Sequence, residues 1–381
     1  MIFSGIGIID SRRTVVTPLG YFFLGGNFTS YKGNTRNRLV KLDTLGNEVS
    51  GFSIGTGFNG AVNVVREDVD GKIYVGGSFT QYQGASANRI VRLNADGTRD
   101  FSFTVSTGYN STVTDIKIID GLVYVAGDFT SYRGSTTLRI SRLNTNGSIS
   151  LSYTSAFGTS TLVSPFLGVK SIISFQTSIL CGGNFVSFNN INVGPVLLMN
   201  KTGTRNTGFA SSFEVNGQDI YKLISLPGNK VLRIGTGQLN SDPDYSTVRL
   251  NSNGTLDTFW IKFINGTAVS GLADTSGNYY FGGSFNSFYS VGTPTLTSIP
   301  PGLVKTNSSG VRDTSFSLGT GFNGSVNDII LQNGLLFACG TFTSFNGNSR
   351  NRVLSLNLNG SINNVFDIGS GFNGDCNFIG K

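Results

Sequence analysis

An Asn/Asp-x-x-Gly turn follows an apolar segment seven times along this 381-residue chain. The glycines of these turns are Gly46, Gly97, Gly147, Gly203, Gly254, Gly310 and Gly360. Successive glycines lie 51, 50, 56, 51, 56 and 50 residues apart. Repetition at this period indicates one supersecondary unit copied in series. Because no copy can bury its apolar face without its neighbours, we expect a single domain that spans residues 1–381.

The unit is clearest over residues 60–109, where four short apolar stretches are separated by turns that contain glycine. The predicted strands are 61–68, 72–82, 88–94 and 99–105. Four such strands in series predict an antiparallel meander, and a four-strand period of this length is typical of propellers. The sequence therefore predicts an all-β fold, a seven-bladed β-propeller of four-stranded antiparallel blades.

The two ends of the chain each carry part of a unit. The C-terminal residues 369–380 read GSGFNGDCNFIG, which is how a unit begins, and the N-terminal region supplies the following strand with Gly25 and Gly26. We expect the N- and C-terminal segments to pair in one blade and so close the ring. Closure would remove the exposed sheet edges that an open stack leaves.

Several residue types recur with the unit. Glycine pairs such as Gly76–Gly77 inside a strand predict a bulge or a close backbone approach. Unit five departs from the pattern, because Ile234-Gly235-Thr236-Gly237 is not followed by the usual Phe. The recurring arginines are Arg38, Arg89, Arg139 and Arg352, and the recurring aromatic residues are Tyr31, Tyr82, Tyr132, Phe188, Phe288, Phe345, Phe58, Tyr109, Phe322 and Phe372. We interpret both sets as structural, at blade junctions, with anion contact and sugar stacking as the respective alternatives.

The pattern VGGSFT, NRIVRLNADGTRD, FSF and GTGFNG resembles the delta-60 repeat, a kelch-like repeat of phage and bacterial surface proteins. The resemblance covers nearly the whole chain and is strongest in units one, two, three and seven. It implies a β-propeller and brings no catalytic residues with it.

Composition excludes much enzyme chemistry. The chain has no histidine, so a Ser-His-Asp triad and a histidine-ligated zinc are impossible. Asp242 and Asp244 lie in an irregular stretch where a weak calcium site competes with an ordinary polar loop, which we favour. Cys181, Cys339 and Cys376 have no metal-binding spacing and are predicted to pack in strands. We therefore expect no enzyme activity, no catalytic residues, no metal and no cofactor.

The net charge of +7 is spread along the units without a basic cluster, which argues against nucleic-acid binding. No apolar run approaches the length that spans a bilayer, so we expect no membrane insertion. The first residues, MIFSGIGIIDSRR, have neither signal-peptide nor transit-peptide features, which predicts folding in a cytoplasm.

Three irregular stretches interrupt the repeat at 155–168, 238–246 and 289–301, and we expect all three on one face of the propeller. Recognition usually resides in such loops. The candidate recognition residues are Asp242, Asp244, Tyr245, Tyr289, Pro294, Pro300 and Pro301.

The favoured hypothesis is a non-enzymatic virion component of tail or appendage type. Its partners would be other virion or surface proteins and a host glycan. The alternatives are a bacterial cell-surface or extracellular adhesin or carbohydrate-binding propeller, and a polysaccharide hydrolase or lyase.

Overall fold

Short antiparallel strands are the main regular elements in the part of the chain that the structure describes. The structure, a computed structural model, describes residues 20–150, 153, 168–189, 191–209, 219–236, 247–290 and 293–380. Apart from a single turn of 3-10 helix at Pro227–Asn229, the regular elements of these residues are strands. No helix in the described ranges is long and apolar enough to cross a membrane.

The strands of the first half of the chain are β1 (Tyr21–Gly26), β2 (Ser30–Tyr31), β3 (Asn34–Thr35), β4 (Leu39–Asp43), β5 (Val62–Glu67), β6 (Ile73–Gly77), β7 (Gln81–Tyr82), β8 (Ala85–Ser86), β9 (Ile90–Leu93), β10 (Val113–Ile119), β11 (Leu122–Gly127), β12 (Ser131–Tyr132), β13 (Ser135–Thr136), β14 (Ile140–Leu143), β15 (Val169–Phe175), β16 (Ser178–Gly183), β17 (Ser187–Phe188), β18 (Ile191–Asn192) and β19 (Val196–Met199). Those of the second half are β20 (Ile220–Leu226), β21 (Lys230–Gly235), β22 (Thr247–Leu250), β23 (Leu256–Ile264), β24 (Ala268–Ala273), β25 (Tyr279–Gly283), β26 (Ser287–Ser290), β27 (Thr293–Ser298), β28 (Leu303–Thr306), β29 (Val326–Gln332), β30 (Leu335–Gly340), β31 (Ser344–Phe345), β32 (Asn348–Ser349), β33 (Val353–Asn357) and β34 (Cys376–Gly380).

Seven three-stranded antiparallel units recur in the described part of the chain, and we number them sheets 1 to 7. In order they are β34-β1-β4, β5-β6-β9, β10-β11-β14, β15-β16-β19, β20-β21-β22, β24-β25-β28 and β29-β30-β33. The first strand of each sheet contacts the first strand of the next, and the series returns to its start where β29 contacts β34 and β34 contacts β5. Repeated small antiparallel sheets in this arrangement are consistent with a β-propeller.

Sheet 1 joins the two ends of the described chain. Strand β34 pairs antiparallel with β1, with Leu24 opposite Ile379 and Gly25 opposite Phe378. The predicted pairing of N- and C-terminal segments is therefore confirmed, and main-chain hydrogen bonds hold the closing sheet together.

The apolar core is divided among the junctions between sheets. The described residues contain seven buried clusters, and each combines side chains of two neighbouring sheets. Cys339 and Cys376 belong to the cluster between sheets 7 and 1, and Cys181 to the one between sheets 3 and 4. All three are buried free thiols, which confirms their predicted packing role.

The glycine pairs mark a bulge at the start of each sheet, as predicted. Where the register shifts between Val62 and Val64, the second glycine of the pair, Gly77, faces the bulged backbone. A Cβ atom on Gly77 would overlap the main-chain oxygen of Ala61, and Gly127, Gly183, Gly235, Gly283 and Gly340 meet equivalent oxygens. Only glycine allows this approach.

The predicted fourth strand is wrong for most units. After the Asn-x-x-Gly turn of sheet 2 a single bridge joins Leu93 to Arg99, and similar single bridges occur in five other sheets. The strand stops because Asp100 forms a turn, in which its side chain accepts a hydrogen bond from the Ser102 N–H and its carbonyl one from the Phe103 N–H. In the described residues only sheet 5 continues into a regular fourth strand, β23.

Replacing Gly77 with alanine tests the bulge. The new Cβ must displace backbone atoms, so we expect Gly77→Ala to lower the free energy of unfolding by about 2 kcal/mol or more. Gly84 is the matched control, because it has a φ of +75° but open space around its Cβ position. Gly84→Ala should cost only the strain of the left-handed backbone, about 1 kcal/mol. Urea unfolding checks both variants, and equal losses would contradict the steric explanation.

Candidate binding surfaces

The recurring arginines act within the fold, as predicted. Arg38, Arg89, Arg139 and Arg352 have φ angles of 76°, 69°, 64° and 71°. Each guanidinium donates to the carbonyl oxygen of the residue before the repeat Phe, at Asn27, Ser78, Asp128 and Thr341. These bonds lie within one sheet and fix the entry into its third strand. The predicted structural role is therefore supported, but these bonds are not at the blade junctions where the sequence placed them.

The recurring aromatic rings are also internal. Phe58 packs on Phe79 and Tyr82, with 4.6 Å between ring centroids in both pairs. The Tyr132 hydroxyl donates to the Gly147 carbonyl oxygen at 2.7 Å, and burial raises the pKa of Tyr132 to about 12. Because these rings are buried, they serve packing rather than sugar stacking.

In sheets 1, 2, 3 and 7 an asparagine side chain, which the sequence analysis missed, joins the turn before the first strand to the segment after the second strand. We call this contact the asparagine clamp. The Asn59 Oδ1 atom accepts hydrogen bonds from the Thr80 and Gln81 N–H groups at 2.8 and 2.9 Å, and its Nδ2 donates to the Thr80 Oγ1 atom at 2.8 Å. Asn110, Asn323 and Asn373 make the same three bonds. The sequence does carry a signal for this clamp. The dipeptides Phe-Asn or Tyr-Asn and Phe-Thr occur together in each unit that has it.

A buried ion pair links the third strand to the segment after the turn. Arg92 Nε lies 2.9 Å from Asp100 Oδ2, and Lys72 adds a contact at 3.1 Å. Burial by itself would raise the pKa of Asp100, but hydrogen bonds from Ser102 and Lys72 and the charge of Arg92 outweigh it and hold the pKa well below the usual range. Arg249–Asp257 and Lys305–Asp313 repeat the pair at 2.7 Å each.

Two buried carboxylates lie among the first strands, at the centre of the ring. Asp115 accepts bonds from Arg66 and from the Ile172 N–H, both at 2.9 Å. Asp328 accepts from Lys222 at 2.9 Å and from Ser270 at 2.6 Å. Asp115 thus joins sheets 2, 3 and 4, and Asp328 joins sheets 5, 6 and 7. Sequence reasoning missed them because apolar residues occupy some equivalent positions, for example Val64.

We name the two ends of the ring by their connections. The hairpin face carries the hairpins that follow the second strands of sheets 1, 2, 3, 4, 6 and 7, and the turn face carries the tight turns between first and second strands. A cavity of about 600 Å³ opens among the first-strand ends on the turn face. Glu67, Asp68 and Asp120 line it together with Arg66 and Lys117, so both charge signs are present.

Among the residues that the structure describes, the largest departure from the repeat lies between sheets 5 and 6. Strand β23 pairs with β22 on one side and with β26 on the other, where Lys262 is opposite Tyr289. The result is a six-stranded sheet, β20-β21-β22-β23-β26-β27. Residues 258–263 alternate, with Phe259, Ile261 and Phe263 buried, which continues the strand where other units turn. We call β23, β26 and β27 the extension.

The extension contains two of the predicted recognition residues that the structure describes, and two more follow it. The stretch 289–301 was predicted to be irregular, and this is wrong, because β26 and β27 form a hairpin there. Tyr289 lies half-buried in β26 and Pro294 lies in β27. Pro300 and Pro301 are half-buried after the hairpin, and the Pro301 carbonyl accepts the Phe322 N–H at 3.2 Å. Asn88 makes the equivalent bond to Tyr109, so Pro301 occupies a repeat position at a junction.

The other predicted recognition residues, Asp242, Asp244 and Tyr245, lie outside the described residues. So do the stretches 238–246 and 155–168, apart from Gly168. The common face predicted for the three stretches therefore stays a prediction. Within the described ranges, no group of three or more Asp, Glu or Cys side chains is arranged to hold a metal ion.

Comparison with protein families gives five matches to the model described as "Domain of unknown function (DUF5122) beta-propeller". They cover residues 23–47, 70–103, 120–150, 229–259 and 331–366. Over these segments the repeat is similar to the DUF5122 β-propeller model. The matches fall on units one, two, three, five and seven, including unit five, whose strand motif is degenerate. Comparison with curated protein sequences gives no match.

Solved structures with distant similarity include the extracellular domain of a putative hybrid two-component system from B. thetaiotaomicron, at 13% identity and a TM-score of 0.46. That match covers 83% of this chain and 35% of the other, so this chain spans about a third of that protein's length. Apo AztD from Citrobacter koseri matches at 9% identity, 94% and 96% coverage and a TM-score of 0.45. A streptogramin B lyase structure matches at 12% identity, 82% and 84% coverage and a TM-score of 0.47. Similarity at this level says nothing about ligands or activity.

Replacing Asp100 with asparagine tests the buried ion pair. The pKa of Asp100 is lower in the folded than in the unfolded chain, so ionised Asp100 stabilises the fold above the unfolded value of about 3.9. That stabilisation is lost as the pH falls toward the folded-state pKa. We expect Asp100→Asn to cost about 2 kcal/mol or more at pH 7, and the difference from wild type to shrink below about pH 4.

Thermal unfolding as a function of pH measures this difference. Asp70→Asn is the control, because Asp70 is exposed in a turn and its replacement should change stability by less than about 0.5 kcal/mol. A variant as stable as wild type at pH 7 would show that the Arg92–Asp100 pair contributes nothing.

Proposed function

We propose that this chain is a non-enzymatic structural and binding protein, a virion component of tail or appendage type. In this proposal the sheets form a seven-bladed ring that serves as a rigid scaffold. The extension of sheets 5 and 6 is its contact surface toward another virion protein or a host surface.

The observation that carries this proposal is the contrast between the repeat and the extension. The recurring Arg, Asn and aromatic side chains bond to the chain itself, as Arg89, Asn59 and Tyr82 show. The extension breaks the repeat with a hairpin whose outer strand, β27, exposes Thr295, Leu296 and Ser298. Elaborated segments on a rigid scaffold commonly carry recognition.

The location of the protein tests the virion part of the proposal. We expect an antibody against the chain to label the tail or an appendage of particles purified from the native host, as seen by immunogold electron microscopy. Particles that carry none of the protein, with all of it in the cell envelope, would overturn the virion assignment and favour a surface adhesin.

An exchange of hairpins tests the role of the extension. Residues 287–298 are replaced by residues 81–86 of sheet 2, and a control chain carries residues 131–136 of sheet 3 in place of 81–86. We expect only the first exchange to abolish incorporation into particles or attachment to host cells. Because loss of β26 removes a neighbour of β23, a second variant with Thr295→Glu and Thr297→Glu keeps that pairing. Normal incorporation and attachment by both extension variants, with thermal unfolding unchanged, would contradict the proposed surface.

A further inference from the structure

Two of the three cysteines meet at the junction between sheets 7 and 1. Cys339 in β30 and Cys376 in β34 belong to the same buried cluster, and the two strands are in contact. The thiols are close enough to hydrogen bond, and burial together with the Cys376 thiol raises the pKa of Cys339. Cys181 lies in a different cluster, between sheets 3 and 4, and has no second cysteine beside it.

The repeat shows how close these two positions are. Cys339 stands where other units have the first glycine of the pair, and Cys376 stands where the first strand of the next sheet begins, usually with valine. A Cβ atom on that glycine would lie 3.2 Å from the valine Cβ between sheets 1 and 2, and 3.5 Å from it between sheets 6 and 7. The pairs measured are Gly25–Val62 and Gly282–Val326. Because the Cβ atoms of a disulfide lie about 3.5–4.5 Å apart, side chains at these positions reach disulfide distance once they relieve the overlap.

We propose that Cys339 and Cys376 are an oxidation site, at which a disulfide cross-links sheet 7 to β34 of sheet 1. The oxidant is a small disulfide such as oxidised glutathione. One cysteine thiolate attacks a sulfur of the oxidant, breaks its S–S bond and releases a thiolate, which leaves a mixed disulfide on the protein. The second cysteine thiolate attacks the protein sulfur of that mixed disulfide, forms the cross-link and releases the other thiolate. In total the two protein thiols lose two electrons and two protons, and the oxidant gains both and becomes two thiols.

The cross-link acts on the strand that closes the ring. It holds β34 against β30, in position to pair with β1, and it restricts the unfolded chain between residues 339 and 376. Oxidation gives up only weak contacts of the Cys376 thiol, such as the one to the Phe378 carbonyl oxygen at 3.4 Å. Both thiols are buried in the closed ring, where the raised pKa of Cys339 disfavours its thiolate. The reaction therefore takes place while β34 docks or when it opens.

Refolding the full chain from urea with oxidised and reduced glutathione tests the site. Trypsin cleaves after Arg312, Arg350 and Arg352, so a non-reducing digest places the two cysteines on separate peptides, 313–350 and 353–381. We expect mass spectrometry to find these two peptides joined by a disulfide. After denaturation, a maleimide should label Cys181 and neither of the other two cysteines.

A double variant is the matched control for stability. Cys339→Ala with Cys376→Val reproduces the pair Ala126 and Val169, which occupies the same positions between sheets 3 and 4. We expect oxidised wild type to unfold about 5 °C above reduced wild type in a thermal scan. The double variant should unfold at one temperature whether or not glutathione was present during refolding.

Two results would overturn the proposal. One is wild type that keeps all three thiols free after refolding with oxidised glutathione, or that carries glutathione on single cysteines without the cross-link. The other is a linked peptide without a rise in the unfolding temperature, because the bond would then not secure β34. The site uses no residue of the extension, so either result leaves the proposed function untouched, and failure of the particle experiments leaves the oxidation site untouched.

Discussion

The antiparallel pairing of β34 with β1 is the interaction on which the rest of the structure depends. It supplies the first strand of sheet 1, and β34 also contacts β29 and β5, the first strands on either side. Without this pairing, the cluster between sheets 7 and 1 would lose the side chains that β34 contributes, Cys376 among them. Strand β1 would then become an exposed edge. The closure thus completes both the hydrogen bonding and the core of the ring.

Closure also explains how the repeat uses its polar residues. Polar groups at the seven contacts between sheets need hydrogen-bond partners. The chain supplies them with main-chain bulges, asparagine clamps and buried ion pairs. At some junctions a side chain of one first strand accepts a hydrogen bond from a main-chain N–H of the next, as Asp115 does from Ile172 and Ser171 from Leu223. These residues look chemically interesting in a sequence, yet their contacts hold the sheets together. We propose that recognition uses the extension, where the repeat is broken.

Much of the fold could be predicted from the sequence, because the same pattern of strands and turns occurs in several units. The three main strands, the glycine bulges at Gly77 and its equivalents, and the terminal pairing follow from periodicity and turn chemistry. The fourth strand was mispredicted because polar and apolar residues alternate in RDFSF, residues 99–103. In the structure the hydrogen bonds of Asp100 form a turn there instead. The β26–β27 hairpin was mistaken for a loop because Pro294 and Gly292 suggest irregular structure, and the partner that orders it, β23, belongs to the preceding unit. Long-range pairing of this kind leaves no local signal.

Hydrogen–deuterium exchange, read by mass spectrometry at peptide resolution, tests the closure most directly. If sheet 1 closes the ring, the amides of β1 and β34 exchange as slowly as those of β6 and β11, and all become exposed together in one cooperative unfolding step. Rapid exchange confined to β1 and β34, while the other sheets stay protected, would show that the terminal strands are not paired. The ring would then be open, contrary to the structure described above.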